Sequence, residues 1–262
     1  VKYSEQIALK SRRELAEMRE VGVQTAEILL ILREKARPGV TTGELDEVAG
    51  AELKRRGLQS PFLGYAPGGL PPYPAVLCVS VNEEIVHGIP GSRELREGDI
   101  LSLDFGVENR GFHGDSAVTV PIGEVDEDAR ALIEATRDSL YEGVAQMVPG
   151  NRLSDIGAAV QKCAEAGGYS VVRQFVGHGI GRQMHEPPQV PNYGRPGRGQ
   201  RLQQGMVLAV EPMVNMGSEE VQMLDDEWTA VTEDGQLSAH FEHTIAVTDD
   251  GPEILTRIEG SH

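Results

Sequence analysis

The chain repeats its own plan. A helix-forming stretch from about Ser11 to Arg37, with apolar residues at intervals of three and four, stops at Pro38-Gly39. A second helix follows, with Thr42 as its N-cap, and ends at Gly57. Later the order recurs: a helix from about Glu127 to Met147, a Pro149-Gly150 break, and a helix from about Leu153 to Ala166 before Gly167-Gly168. One and the same shift lays Pro38-Gly39 on Pro149-Gly150 and Gly57 on Gly168. In each half the helices precede short alternating segments. In the first half these are 76–81, 100–105 and 116–120, beyond a Pro/Gly-rich loop over 60–74. Helices followed by strands, twice, predict an α+β fold of two pseudo-symmetric αββ halves around one sheet.

The repeat also aligns acidic residues. LREGDILSLDFGV parallels LQQGMVLAVEPMV, which sets Asp104 on Glu211; His113-Gly114-Asp115 parallels His240-Phe241-Glu242, which sets Asp115 on Glu242. His87-Gly88-Ile89 has its counterpart in His178-Gly179-Ile180. Between Asp104 and Asp115 lies Asn109-Arg110-Gly111, a good hairpin turn. A turn centred between Asn109 and Arg110 puts the two Asp directly opposite each other, with Cβ atoms about 5 Å apart. Carboxylates that close repel, and one takes up a proton unless a cation lies between them. A proton-sharing pair, or a register that turns one Asp outward, fits the same residues. Glu211 and Glu242 also read as strand-end acids meeting solvent, and His113, His240 and His243 as structural histidines.

If Asp104, Asp115, His178, Glu211 and Glu242 converge, they offer four carboxylates and one imidazole. Four negative charges match two divalent cations. A donor set rich in oxygen, with one nitrogen and no thiolate, suits Mn, Fe(II) or Co, with Zn compatible. Two such cations serve amide hydrolysis by acidifying water and polarising a carbonyl.

Composition excludes other classes. The formal charge of −17, with no basic block, argues against a nucleic-acid site. No apolar run approaches the roughly 20 residues that span a bilayer, and the start does not read as a signal peptide. Two cysteines, Cys78 and Cys163, make no disulfide framework, which points to the cytoplasm.

The motifs VNEEIVHGIP (81–90), LSLDFG (101–106), FHGDSA (112–117), VGHGIGRQMHEPPQV (176–190), VLAVEPM (207–213) and HFEHTIAV (240–247) resemble type I, bacterial-like methionine aminopeptidases. The resemblance covers nearly the whole chain. It implies the pita-bread fold, a curved antiparallel sheet, with 11–258 as one catalytic domain built of pseudo-repeats at about 11–125 and 126–255. Residues 1–10 are then an N-terminal extension and 259–262 a tail or tag remnant. It implies removal of the initiator methionine from nascent proteins whose second residue is small, by a water activated between two divalent cations. Asp104, Asp115, His178, Glu211 and Glu242 would be the ligands, Asp115 and Glu242 bridging, with Glu211 also the general base. His185 would bond the scissile carbonyl, and His87 the substrate amide. Tyr65, Tyr73, Cys78 and Trp228 would line the pocket for the first side chain. The partners would be N-terminal Met peptides and nascent chains near the ribosome, and the enzyme a monomer.

Two departures stand out: extra residues at 66–72 between Tyr65 and Tyr73, and Met184 where the family often has an aromatic. X-Pro peptidases share the fold and ligands but usually carry a large N-terminal domain. Pita-bread proteins that only bind partners have lost ligands, and here every ligand position is filled.

Overall fold

A computed structural model describes residues 7–258. The tail expected at 259–262 and the first six residues of the expected extension lie outside that range. Helix α1 (Arg12–Lys35) opens with a capping box: the Ser11 hydroxyl accepts from Glu14 N–H, and the Glu14 carboxylate accepts from Ser11 N–H at 2.9 Å. Helix α2 (Thr42–Arg56) uses the same device at Thr41 and Glu44, and Gly57 closes it in the left-handed region at φ 68°. The N-cap is therefore Thr41 and not Thr42, because only Thr41 stands three residues before a glutamate. Helices α3 (Glu127–Val144) and α4 (Leu153–Ala166) repeat the pair, with the Asp126 carboxylate accepting from Ala129 N–H.

In chain order the strands are β1 (Cys78–Val81), β2 (Glu84–Val86), β3 (Ile100–Asn109), β4 (Phe112–Pro121), β5 (Ser170–Val171), β6 (Gly177–Gly179) and β7 (Glu186–Val190). They continue with β8 (Val207–Val210), β9 (Met213–Asn215), β10 (Val221–Met223), β11 (Ala230–Thr232), β12 (Ser238–His240), β13 (Glu242–Thr248) and β14 (Gly251–Ile254). The main antiparallel sheet runs β1-β3-β4-β13-β8-β6-β7, with β14 also on β13. From the β4–β13 seam it spreads as β4-β3-β1 on one side and β13-β8-β6 on the other, the mirrored order the repeat predicts.

Helix α1 lies on β3 and β4, and α3 packs with α4 beneath the second half. Alternation sends Leu101, Leu103, Phe105 and Val107 into the core with α1, all fully buried. The opposite face of β3 carries Ser102, Asp104 and Gly106. Helix and strand approach closely at Gly114, where a Cβ would lie 3.3 Å from the Gly22 backbone.

The β3–β4 hairpin differs from expectation in register. Asn109 pairs with Phe112, so the turn is Arg110-Gly111, both in the left-handed region at φ 54° and 75°. Asp104 therefore faces Ala117, and Asp115 faces Gly106. The two carboxylates are diagonal neighbours, not directly opposed. The displacement is an even one, so both remain on the same face.

Candidate functional site

The ladder writes out the site. Cys78 pairs with Asp104, Asp104 with Ala117, and Ala117 with Glu242, a row across β1, β3, β4 and β13. Ala117 leaves room between two carboxylates, and Asp115 sits diagonally beside them. One step past the His243–Val210 pair, Glu242 comes alongside Glu211 where β8 ends. His178 on β6 pairs with Ala209 of β8, two residues before Glu211. All five sequence-predicted ligand positions thus converge on one sheet face, from both halves of the chain.

Asp115, His178 and Glu242 each present a ligand atom within 4.8 Å of the others. Asp104 and Asp115 lie close enough to share a proton, and Glu211 Oε1 is 3.5 Å from His178 Nε2. The His178 Nδ1–H donates to the Gly179 carbonyl at 2.9 Å, which leaves the Nε2 lone pair facing the carboxylates. Burial drives His178 down to about 3, so the ring is a neutral donor. The carboxyls move the other way. Burial pushes Asp104 up to about 7, and burial together with the neighbouring acids holds Asp115, Glu211 and Glu242 well above the usual range.

Whether these residues suit a metal is decided by their oxygens. Asp104 Oδ1, Asp115 Oδ1 and Glu242 Oε1 are buried without a hydrogen-bond partner. Backbone and hydroxyl contacts fix the strands themselves: Asp115 N–H donates to Thr244 Oγ1 at 3.0 Å, and Ser116 Oγ donates to the Glu242 carbonyl at 2.8 Å. Orphaned carboxylate oxygens in a dry site, each worth several kcal/mol of lost solvation (~2–7), are what a divalent cation satisfies. The donor set fits one, and it is oxygen-rich as hard or borderline cations prefer.

The five positions floor a cavity of about 340 Å³. His185 borders it, its ring 4.3 Å from that of His178 and its Nδ1 3.0 Å from the Tyr65 hydroxyl. His87 borders it too, in the left-handed region at φ 61°, a conformation that costs on the order of 1–3 kcal/mol for a non-glycine residue. Burial lowers His87 to about 4. Tyr73, Cys78 and Trp228 form one buried cluster with Tyr65 packed against it; the Tyr73 ring meets Trp228 edge-on at 5.1 Å. Burial, then Asp104, raises the Cys78 thiol, so it stays protonated. Met184 is buried in the wall.

The 66–72 segment leaves that wall in place. Tyr73 N–H donates to the Tyr65 carbonyl and Gly64 N–H to the Tyr73 carbonyl, both at 2.8 Å, so the extra residues loop out from a pinned base. Trp228 Nε1–H donates to the Pro71 carbonyl at 3.0 Å and ties the loop to the other half. Gly106 makes room beneath: a Cβ there would lie 2.7 Å from Pro61 and 3.0 Å from Phe62.

Of the remaining histidines, His113 bonds the Gly181 carbonyl, and His243 faces Ser116 and Thr256 on the helix side. His240 is different. It borders the cavity, is 2% exposed, and its Nε2 has no partner; burial and His87 lower it to about 3. The sequence reading set it aside as structural. Alternation through His240-Phe241-Glu242-His243 was the available signal, since it puts His240 on the face of Glu242.

A family model for metallopeptidase family M24 matches residues 16–249. The methionine aminopeptidase of Clostridium perfringens is 52% identical over 253 residues, covering 97% of this chain and 100% of that protein. Methionine aminopeptidase 1 of Bacillus subtilis is 50% identical over 252 residues, covering 96% and 100%. The crystal structure of the Thermotoga maritima methionine aminopeptidase superposes with a TM-score of 0.93 at 43% identity, covering 97% of this chain and 100% of that one.

Proposed function

Because the chain belongs to the M24 metallopeptidases, and within them to the methionine aminopeptidases of pita-bread fold, we propose that it removes the initiator methionine from new proteins whose second residue is small, using two divalent cations. The observation that carries this reading is the ring of four carboxylates and one imidazole drawn from both halves, three of whose oxygens are buried without partners. Asp104, Asp115, His178, Glu211 and Glu242 would hold the cations, with Asp115 and Glu242, from the two strands that meet at the seam between the halves, serving as bridges. Mn, Fe(II) or Co suits this set, and Zn is compatible with it. Bound there, the metal supplies Lewis-acid chemistry, polarising the scissile carbonyl and acidifying water.

The chain's own residues do the rest. Glu211, its proton affinity raised by burial and by Asp104, takes a proton from the attacking water and returns it to the departing amine. Tyr65 keeps its proton because burial raises its pKa; with its O–H donating to His185 Nδ1, the imidazole carries hydrogen on Nε2 and offers it to the carbonyl oxygen. His87 contacts the substrate amide and steadies the leaving nitrogen. Tyr65, Tyr73, Cys78 and Trp228 enclose the first side chain, a polarizable pocket suited to a thioether.

Residues 11–258 act as one catalytic domain of two repeats, at about 11–125 and 126–255, and the protein works as a cytoplasmic monomer on N-terminal Met peptides and nascent chains near the ribosome. No described helix is long and apolar enough to cross a membrane. The test is release of the first residue from Met-Ala-Ser, Leu-Ala-Ser and Ala-Pro-Ser with Mn or Co, and again with chelator. Metal-dependent release of Met alone is expected. Cleavage only before proline would instead make it an X-Pro peptidase, and bound metal without cleavage a binding protein.

A further inference from the structure

Lys10 is the last residue of the stretch that the resemblance sets apart as an extension, yet its ammonium is buried. Its Nζ donates to Glu186 Oε2 at 2.6 Å and to the Ala8 carbonyl at 3.2 Å, and the two paired side chains are only 5% and 11% exposed. Two glycines make the room. A Cβ at Gly181 would lie 2.7 Å from Lys10 Nζ and 2.8 Å from Glu186 Oε1, and one at Gly205 would lie 2.7 Å from the Lys10 carbonyl oxygen. Lys10 N–H donates to the Gly205 carbonyl, also at 2.7 Å, so its backbone is laid against the turn that leads into β8.

On the other side of the pair, Glu186 opens β7 and folds back over the loop before it. Its Oε1 accepts from Arg182 N–H at 2.7 Å and from Gln183 N–H at 3.1 Å, which closes the chain into a ring around Met184 and His185. Those two side chains are what the loop contributes to the cavity. One carboxylate therefore joins Lys10 to the segment that carries the His185 imidazole. A buried ion pair adds little net stability over an apolar pair of the same shape, because desolvation offsets most of the attraction. What it adds is short, directional bonds that hold one geometry. We propose that Lys10 and Glu186 are positioning residues for His185, their buried ion pair locking the loop so that the imidazole stands ready for the scissile carbonyl. This rests on the reading of His185 as the group that bonds that carbonyl.

The experiment measures kcat and KM for Met-Ala-Ser with Mn in Lys10→Met, Lys10→Arg and Glu186→Gln. Lys10→Met and Glu186→Gln are also combined with His185→Ala. A metal-induced rise in melting temperature shows that each protein is folded and loaded. Lys10→Met should lower kcat about tenfold while KM stays within about twofold of wild type, as expected when a reacting group is slightly misplaced. Lys10→Arg, which keeps the charge, should retain most of the rate. Glu186→Gln should lower kcat in the same direction, and it carries the comparison if Lys10→Met does not fold. In the His185→Ala background neither change should lower kcat further, because the group they position is gone. An equal fall with and without His185, or an unchanged kcat in both Lys10→Met and Glu186→Gln, would overturn the proposal alone. A wild type that releases no methionine, or a His185→Ala enzyme that loses no rate, would overturn the underlying reading and the proposal with it.

Discussion

A carboxyl group in a dry interior keeps its proton unless a cation takes that proton's place, and four such groups meet on this sheet. Asp115→Asn and Glu242→Gln should each abolish the rise in melting temperature on adding Mn, and turnover with it, because both bring ligand atoms within 4.8 Å of each other and of His178, from the two strands that meet at the seam. His185→Ala should keep the metal-induced rise while kcat falls on the order of 10²-fold, as when one donor to a developing oxyanion is removed. Loss of the rise in His185→Ala would make that ring a ligand instead. At this scale the sequence was most readable where chemistry is costly. Asp104, Asp115, Glu211 and Glu242 announced themselves as acids inside apolar strands. His240 did not, because one histidine in a strand looks the same whether its ring finds a partner or not. Tyr65 was legible as a wall residue, but its bond to His185 joins segments 120 residues apart.

The β3–β4 hairpin and the 60–74 loop form one assembly, since Gly106 is the floor on which Pro61 and Phe62 rest. Gly106→Val should push the loop off β3 and carry Tyr65 with it. The expected result is a fall in kcat/KM of at least tenfold with metal-induced stabilisation retained; melting curves and kinetics on one preparation check both. The four helices could be read ahead of the structure from apolar spacing of three and four in the first pair, its recurrence in the second, and the stops at Pro38-Gly39, Gly57, Pro149-Gly150 and Gly167-Gly168, although the start of α2 reads one residue late, at Thr42 and not Thr41. The three-residue strands β2, β6 and β9 through β12 could not, since so short a run shows no period. The hairpin register was missed because Asn109 is the better left-handed residue, yet Arg110 takes that conformation with Gly111. The full length of β3 and β4 decides the pairing, not the turn alone.

For the molecule as a whole, the buried acids and buried histidines pull stability in opposite directions with pH. Asp104 rises from 3.8 to about 7, so without metal its contribution is complete below 3.8 and is lost as pH climbs through about 7. His87, His178 and His240 fall from 6.5 to between about 3 and 4, so theirs is complete above 6.5 and is lost on acidification. Above pH 6.5 the histidines no longer change, while the raised carboxyls still do. The chelated protein should therefore melt progressively lower from pH 6.5 to 8.5, a slope that saturating Mn removes; fluorimetric melting in matched buffers would show it. The two halves meet at the β4–β13 seam, and the ligand set straddles it. Synthesis proceeds from the N-terminus, so Asp104 and Asp115 emerge long before Glu242. A partly made chain that lacks Glu242 holds only half of the proposed metal site, so the catalyst comes into being only once the second half of the chain has joined its carboxylates to the two aspartates.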